Sequence, residues 1–419
     1  MDKFPAATAK KSVTALFGAA VVAFVILIIL FPSRAFQASL YGLQIWWEIL
    51  FPSLLPVFVL TEMLFAFGIV RALGVLADPF MRFAFRLPGE CGLAFAAGLI
   101  AGYPAGADVA GRLFRRKLLT PGETERVVAM SHIAGPMWVF TAISVGFLHR
   151  AELGAVLFLA QAASAIAIGL FGRFAANMSG EKHLRPADRP PLLKSCLTAI
   201  REVRNEDGRA FGKILGDAVL TAAQNLFVIG GTMMIAAVFL EMLRMAGLFS
   251  AIAGYMAYAF RFAGLPGRWA GPILTGAVEA NLGVFAIGQD ISSTQLAQTA
   301  IAAGILAWSG FAVHAQVKSI VGANAFHYGR FLLARLVHAA LAFLFTLLLY
   351  RPITHWLYGS PGALQAFRAV VASPNLSAAA SPLFAQGAIW LLGLSAAVSW
   401  LVFLLASAGF IRMCQPRPK

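Results

Sequence analysis

Long apolar segments separated by short basic loops predict helices that cross a membrane. The first, from Ser12 to Ser33, carries no charge and is long enough to span about 30 Å of hydrocarbon. A secretory signal peptide is the alternative. The apolar core of a signal peptide is typically about 7 to 15 residues long and is followed by an A-x-A cleavage site, whereas this segment is longer and no such site follows it. Further spans are expected near 53–70, 124–148, 152–173, 214–243, 295–316, 331–350 and 386–411.

Two shorter apolar stretches, 88–111 and 267–289, are interrupted by Gly and Pro where a membrane helix would be expected to continue. Non-helical backbone at membrane depth is tolerated only where it is buried in protein or lines a polar cavity. We therefore predict that both stretches are re-entrant helical hairpins. The predicted tip of the first consists of Gly102, Tyr103, Pro104 and Gly106. Close helix packing through glycines four residues apart is the alternative.

Aromatic residues are concentrated in the segment 36–50, which contains Tyr41, Trp46 and Trp47. Because such side chains are enriched at membrane interfaces, we expect this segment to lie flat there. Composition agrees with a membrane protein, since 60% of residues are hydrophobic, 12% are charged and the mean hydropathy is +0.79. The chain is therefore not an ordinary soluble domain.

The net charge of +15 raises the alternative of a nucleic-acid partner, which the positions of the basic residues argue against. With a cytoplasmic N-terminus and two re-entrant hairpins, 26 of the 33 Lys and Arg residues fall on the cytoplasmic side. Counting either hairpin as a full span would destroy this asymmetry. We expect a multi-pass protein with both termini in the cytoplasm and no nucleic-acid partner.

Short motifs recur at one spacing and predict two related halves. Leu87-Pro88-Gly89 reappears as Leu265-Pro266-Gly267, and the same spacing carries Gly98 onto Gly276 and Ser131 onto Ser309. Since the second hairpin enters from the opposite side, we predict an inverted repeat with a substrate site at mid-membrane. The predicted fold is an all-α polytopic membrane protein of roughly eight or nine spans. Its predicted divisions are an N-terminal helix 1–35, a first repeat 36–173, a basic linker 174–213, a second repeat 214–350, an extracytoplasmic segment 351–385 and a C-terminal helix with tail 386–419.

Glu279 stands in an otherwise uncharged run from Ala270 to Gly288 and is the strongest candidate for a functional residue. An ionisable group there costs about 2.5–3.5 kcal/mol on insertion scales, so it should face a cavity or a partner. Two roles fit. Glu279 either carries a coupling proton or holds a backbone turn by accepting hydrogen bonds from N–H groups.

Polar residues interrupt the span that follows each hairpin, as SHIAGP at 131–136 and as WSGFAVHAQ at 308–316. Their histidine and amide groups could donate hydrogen bonds to an anion, and His314 could relay a proton. Ordinary hydrogen bonding to the next helix is the alternative. With the hairpin tips, the candidate substrate-binding residues are Gly102, Tyr103, Pro104, Gly106, Ser131, His132, Gly135, Glu279, Asn281, Gly283, Ser309, His314 and Gln316, with Glu279 and His314 as coupling residues.

Catalytic and metal-binding signatures are not found in the sequence. The three cysteines, Cys91, Cys196 and Cys414, have no metal-ligand spacing, and no protease, hydrolase or phosphate-loop motif occurs. We expect no enzymatic activity, cofactor or metal. A structural or recruiting role in a membrane complex is the main alternative to transport, because the linker 173–213 is basic enough to bind an acidic partner or anionic lipid.

The assembled motifs resemble the sporulation integral membrane protein family of the YlbJ/SpoVV type, whose halves are similar to gate or nucleoside-recognition domains. The resemblance rests on PSLLPVFVLTEML (52–64), LPG with GLIAGYPAGA (87–107), Gly135-Pro136, Glu279-x-Asn281-x-Gly283 and WSGFAVHAQV (308–317). It implies movement of dipicolinic acid, a dicarboxylate, across the outer forespore membrane of a spore-forming bacterium. Other implied partners are membrane lipid and a coupling proton or cation, and a nucleoside is the alternative substrate.

Overall fold

The computed structural model describes residues 5–178, 192–322 and 325–358, and every regular element in these ranges is helical. The helices up to residue 178 are α1 Pro5–Leu30, α2 Pro32–Ile45, α3 Phe51–Ala66, α4 Ile69–Phe80, α5 Cys91–Ala101, α6 Ala105–Arg115, α7 Pro121–Ser131, α8 Pro136–Trp138 and α9 Leu153–Met178. The later helices are α10 Leu192–Asp207, α11 Phe211–Met245, α12 Leu248–Phe262, α13 Ala270–Val278, α14 Ala280–Gly288, α15 Gln295–Trp308, α16 Gly310–Val321 and α17 Tyr328–Tyr358. Turns of π-helix occur at Trp46–Leu50, Met81–Phe85 and Val139–Phe147, and a 3₁₀ turn at Gly267–Trp269.

Six helices within the described residues are long and apolar enough to cross a membrane, which makes this a polytopic membrane protein. They are Pro32–Ala66, Pro121–Phe147, Leu153–Phe174, Phe211–Met245, Gln295–Val321 and Tyr328–His355. Each contains or overlaps one of the predicted spans. In α1, the apolar part Gly18–Leu30 is shorter than these six. The span predicted at 386–411 lies outside the described residues, as does most of the segment 351–385.

The prediction that 36–50 lies flat at an interface is wrong. α2 continues through the π-helical turn into α3, and this continuous helix packs along α11. Trp46 is buried and its indole N–H donates to the Leu226 carbonyl at 2.9 Å. Gly42 lies against the backbone of Met233. These contacts explain Trp46 by helix packing, whereas Tyr41 and Trp47 are exposed on the same helix.

Local sequence explains where the interrupted helices begin. Thr120 and Glu123 form a capping box at the start of α7, and the Thr294 hydroxyl accepts from the Ala297 N–H at the start of α15. Pro136 occupies the first position of α8, where its missing N–H leaves no orphan donor. These three helix starts thus have a local reason in the sequence.

Short helices meet in pairs where Gly and Pro interrupt the apolar pattern. α5 packs against α6, and the two meet at Gly102, which has a φ of 80°. α13 packs against α14 so closely that a Cβ at Gly283 would overlap the backbone of Gly276. The following helix is broken in each half, at 132–135 between α7 and α8 and at Ser309 between α15 and α16.

The order of elements recurs along the chain. A long helix, a shorter helix, a pair of short helices, a broken helix and another long helix follow one another twice. The corresponding starts are Pro32 and Phe211, Ile69 and Leu248, Cys91 and Ala270, Pro121 and Gln295, and Leu153 and Tyr328.

Contacts between distant segments define two opposite ends of the bundle. At the Glu125 end, Glu125 near the start of α7 contacts His327 just before α17, and Arg115 donates to the Ile320 carbonyl at 3.0 Å. At the Tyr350 end, Tyr350 on α17 contacts Gln295 at the start of α15. The broken helices α7–α8 and α15–α16 therefore run in opposite directions.

The predicted linker 174–213 contains α10, which packs on α4. Arg209 joins it to α11 by donating to Asp207 at 2.5 Å and to Asp217 at 2.6 Å. The hydrogen bonds from Arg209 hold the pKa of Asp207 below its usual value. Residues 179–191 of the linker lie outside the described part of the chain.

Replacing Gly98 by Ala should lower the stability of the protein in detergent by about 1–3 kcal/mol, because the new Cβ would overlap the Ser131 carbonyl. Gly231→Ala in α11 is the matched control, since no atom lies within 4 Å of a Cβ there. Thermal unfolding of the purified variants measures both. Equal melting temperatures for the two variants would contradict the close approach of α5 to α7 at Gly98 and Ser131.

Candidate functional site

In the first half, the turn between α5 and α6 packs against the break between α7 and α8. The Tyr103 N–H donates to the Ile133 carbonyl at 2.9 Å. A Cβ at Gly102 would overlap the Gly135 backbone nitrogen, and Cβ atoms at Gly98 and Gly106 would both overlap Ser131. Only residues without a side chain allow this approach of backbones.

In the second half, the Glu279 turn between α13 and α14 packs against the break between α15 and α16. Glu279 is 4% exposed, and one carboxylate oxygen accepts from the Leu282 N–H at 2.7 Å while the other accepts from the Asn281 amide at 2.9 Å. Gly310 lies against the backbone on both sides of Glu279. The indole N–H of Trp308 donates to the Ala277 carbonyl at 3.0 Å.

A side-chain hydrogen bond joins the two breaks. His132 Nε2 lies 2.8 Å from Ser309 Oγ, and the Ser309 hydroxyl also donates to the Trp308 carbonyl. Since a hydroxyl has only one proton, His132 Nε2–H must be the donor in the first bond. His132 is therefore the tautomer whose Nδ1 is an acceptor.

The place where the two turns, at Gly102 and Glu279, meet the two breaks, at 132–135 and Ser309, is called the junction. Arg335 on α17 is fully buried at the junction and contacts both halves. Its guanidinium donates to the His132 carbonyl at 2.7 Å, to the Ala307 carbonyl at 3.5 Å and to the Ala129 carbonyl. It also donates to His338 Nδ1 at 2.7 Å. The three carbonyls end α7 and α15, where aligned peptide dipoles place partial negative charge that stabilises a cation.

The sequence-based count of basic residues assigns Arg335 to a cytoplasmic loop, 318–335. In the structure Arg335 lies inside the helix α17, so this assignment is wrong. The signal that could have identified it is its position inside the apolar segment 331–350, because an ionisable residue within a span is a candidate functional residue. His338 lies three residues further along the same helix.

Aromatic rings surround the junction. Tyr103 stacks on His132 with ring centroids 4.8 Å apart and an angle of 18°, and Trp138 meets the Tyr103 ring edge-on at 5.1 Å. Phe331 lies between the rings of His132 and His314, at 5.5 and 5.3 Å. His314 Nε2 donates to the Trp308 carbonyl at 2.7 Å, which leaves Nδ1 as an acceptor 3.3 Å from the Tyr328 hydroxyl.

Several buried polar atoms at the junction have no hydrogen-bond partner among the described residues. The donors are Tyr103 Oη, Ser131 Oγ, Trp138 Nε1 and Arg335 Nε, and the acceptors are His132 Nδ1 and Asn281 Oδ1. A buried polar group without a partner costs roughly 1–3 kcal/mol. The junction thus contains a cluster of unsatisfied donors and acceptors.

Most residues predicted for the site meet at this junction, in the two turns and the two breaks. Gln316 does not, because it lies two residues beyond His314 on α16 and such neighbours face different sides of a helix. Glu279 makes the hydrogen bonds that the turn-holding alternative requires. Asp108 and Arg112 pair at 2.6 Å on α6, as their spacing predicts.

Comparison with known proteins identifies two relationships. Residues 226–324 match the Gate family, described as nucleoside recognition, and this stretch includes Glu279, Ser309 and His314. Over 329 residues the chain is 38% identical to the sporulation integral membrane protein YlbJ of Bacillus subtilis (strain 168), an alignment covering 78% of this chain and 80% of that protein. No solved structure matches the chain.

Ser309→Ala should destabilise the protein more than Ser309→Gly, although both remove the hydrogen bond from His132. Ser309 has a φ of 72°, a left-handed conformation that costs Ala roughly 1–2 kcal/mol relative to Gly. Thermal unfolding in detergent compares the two variants. If Ala is tolerated as well as Gly, the left-handed break at this position is wrong.

Proposed function

Because this chain belongs to the family of the sporulation integral membrane protein YlbJ, we propose that it is a secondary transporter of a small dicarboxylate. The sequence resemblance favours dipicolinic acid moved across the outer forespore membrane. The observation that carries the transport proposal is the junction itself, where buried Arg335 and partnerless polar atoms lie at two interrupted helices. Interrupted helices are typical of transporter binding sites.

The two halves are proposed to form an inverted repeat, with α5–α6 and α13–α14 as re-entrant hairpins. The recurring order of elements and the opposite directions of α7–α8 and α15–α16 support this arrangement. Each hairpin would then enter from a different side and reach the junction at mid-membrane.

Anion recognition at the junction follows from its charges and dipoles. Arg335 supplies a cation, and α6 and α16 begin there with N–H groups that attract carboxylates. The stacked rings of Tyr103 and His132 present flat surfaces that suit a planar aromatic ring. A pyridine dicarboxylate combines both chemistries, whereas a nucleoside would use only the rings and the neutral polar groups.

A dianion must be neutralised in transit, and we assign part of this role to protons that pass through Glu279 or His314, with Arg335 balancing the remaining charge. Glu279 is buried in the turn that packs against the break at Ser309. Protonation of Glu279 would remove the one buried carboxylate that opposes a bound anion in this part of the described structure. The proton would then accompany the substrate.

The orientation proposed for the protein places the Glu125 end in the cytoplasm. The helix ends and loops at this end carry Arg115, Arg116, Lys117 and Lys318, in keeping with the excess of basic residues expected on the cytoplasmic side. The Tyr350 end would face the opposite compartment.

Proteoliposomes containing the purified chain should take up labelled dipicolinate with saturation, and citrate and nucleosides should compete poorly. Tyr103→Ala should abolish uptake because it removes both the stacked ring and a donor at the junction. Gly231→Ala is the matched control and should transport normally. Competition by nucleosides alone would instead assign the site to that substrate.

Glu279→Gln should fold, since the Gln amide oxygen can still accept from the Leu282 N–H, but its uptake should no longer depend on a proton gradient. Uptake at several imposed pH gradients measures this dependence. An unchanged pH dependence, accompanied by a lower melting temperature, would show that Glu279 only holds the turn.

Deletion of residues 182–189 in the linker distinguishes transport from a recruiting role. A transporter should keep dipicolinate flux after this deletion, because the junction is built from other elements. Retained flux in liposomes with loss of sporulation in cells would favour a recruiting role for the linker in addition to transport, and loss of both would contradict the proposed independence of the junction.

A further inference from the structure

A cavity of about 560 Å³ lies at the Tyr350 end of the bundle. It is bounded by α2, by the last turns of α11 and by α13 and α14. Tyr41 on its lining contacts Phe285, which in turn contacts Phe147 at 5.4 Å, and this places the cavity near the end of the broken helix α7–α8.

The charged residues of this cavity carry an excess of positive charge. Arg34 and Arg244 both approach one carboxylate, that of Glu241, at 3.9 and 3.5 Å. The arginine side chains are 67% and 47% exposed, whereas that of Glu241 is 18% exposed. Two guanidinium groups thus share one acceptor and keep N–H donors that face the solvent. Gln37 and Tyr41 add polar groups to the same lining.

The inner boundary of the cavity is directly connected to the Glu279 turn. Thr275 and Leu282 line the cavity. The Thr275 carbonyl accepts from the Glu279 N–H at 2.9 Å, and the Leu282 N–H donates to the Glu279 carboxylate at 2.7 Å. Two residues of the cavity lining are therefore hydrogen-bonded directly to Glu279, whose side chain is proposed to carry the proton.

Hydrogen bonds join the two halves at the opposite end of the bundle. Glu125 accepts from the backbone N–H and the imidazole of His327, both at 2.7 Å, and from Arg330 at 3.1 Å. The structure is therefore held together at the Glu125 end while a charged cavity reaches towards the junction from the Tyr350 end.

We propose that this cavity is a vestibule that binds a small carboxylate anion between the solution at the Tyr350 end and the junction, with Arg34 and Arg244 as its anion-binding residues. The inference rests on the proposed transport function. The phosphate of an anionic lipid offers the same chemistry to two arginines, so the test must separate a soluble carboxylate from a lipid headgroup.

The test is protection of a cysteine at the vestibule from a membrane-impermeant maleimide. Gln37→Cys is introduced together with Cys196→Ser and Cys414→Ser, and the chain is placed in nanodiscs of phosphatidylcholine alone. Pyridine-2,6-dicarboxylate should slow labelling with saturation. Arg34→Gln with Arg244→Gln should raise the half-protecting concentration roughly tenfold, whereas the corresponding Lys variants, which keep both charges, should retain most of the protection.

Arg261→Gln is the matched control, since Arg261 is an exposed basic residue of α12 that donates to a carbonyl of its own helix. It should leave protection unchanged. Loss of protection in this control as well as in the double variant would mean that general surface charge, not the vestibule, attracts the anion, and would overturn the proposal.

A second arm replaces part of the phosphatidylcholine with phosphatidylglycerol. If this lipid alone slows labelling and the dicarboxylate has no effect in either membrane, the cavity is a lipid site and the vestibule is rejected. Saturable uptake of dipicolinate without protection of the cysteine also rejects the vestibule while the transport function stands. Protection without uptake supports the vestibule and contradicts the transport function.

Discussion

Helices that stop in the middle of a membrane protein expose backbone groups that lipid cannot satisfy, and the structure depends on how the protein satisfies them. Arg335 donates to carbonyls at the ends of α7 and α15, and His314 donates to the last carbonyl of α15. Glu279 accepts from the Leu282 N–H in the first turn of α14 and from the Asn281 side-chain amide. Cations and donors therefore lie at helix C-termini and a carboxylate lies at a helix N-terminus, as the peptide dipoles require.

The same hydrogen bonds connect the two halves of the chain. Arg335 contacts carbonyls on both sides, and His132 of the first break donates to Ser309 of the second. A shift of one half relative to the other must break or exchange these bonds. A solute that supplies replacement acceptors to Arg335 and Tyr103 would lower the free energy of that exchange, which connects binding to movement. The transport proposal rests on this geometry together with the family relationship.

The positions of the interruptions were predictable from the sequence because Gly, Pro and an isolated Glu stand out against an apolar background. The turns at Gly102 and Glu279 and the breaks near His132 and Ser309 follow from this contrast.

The position of segment 36–50 did not follow from the sequence. Trp and Tyr are enriched both at membrane interfaces and where helices pack closely, and only the contact of Trp46 with α11 decides between the two. Arg335 was predicted at a loop because charge counting treats every basic residue near a span end alike. Gln316 was predicted at the site because it is close to His314 in sequence. Two residues apart on a helix, however, their side chains face different sides. The cavity at the Tyr350 end is lined by α2, α11 and α14, which are far apart in sequence, so no local sequence pattern could have predicted it.

The most direct test of the central claim is a structure of the chain in lipid nanodiscs with dipicolinate bound, determined by electron cryomicroscopy. We predict density for the planar dianion at the junction, beside the ring of Tyr103 and within hydrogen-bond distance of the Arg335 guanidinium. Density for the ligand only at a site remote from both residues, with the hydrogen bonds of Arg335 to α7 and α15 unchanged, would contradict the assignment of the junction as the substrate site.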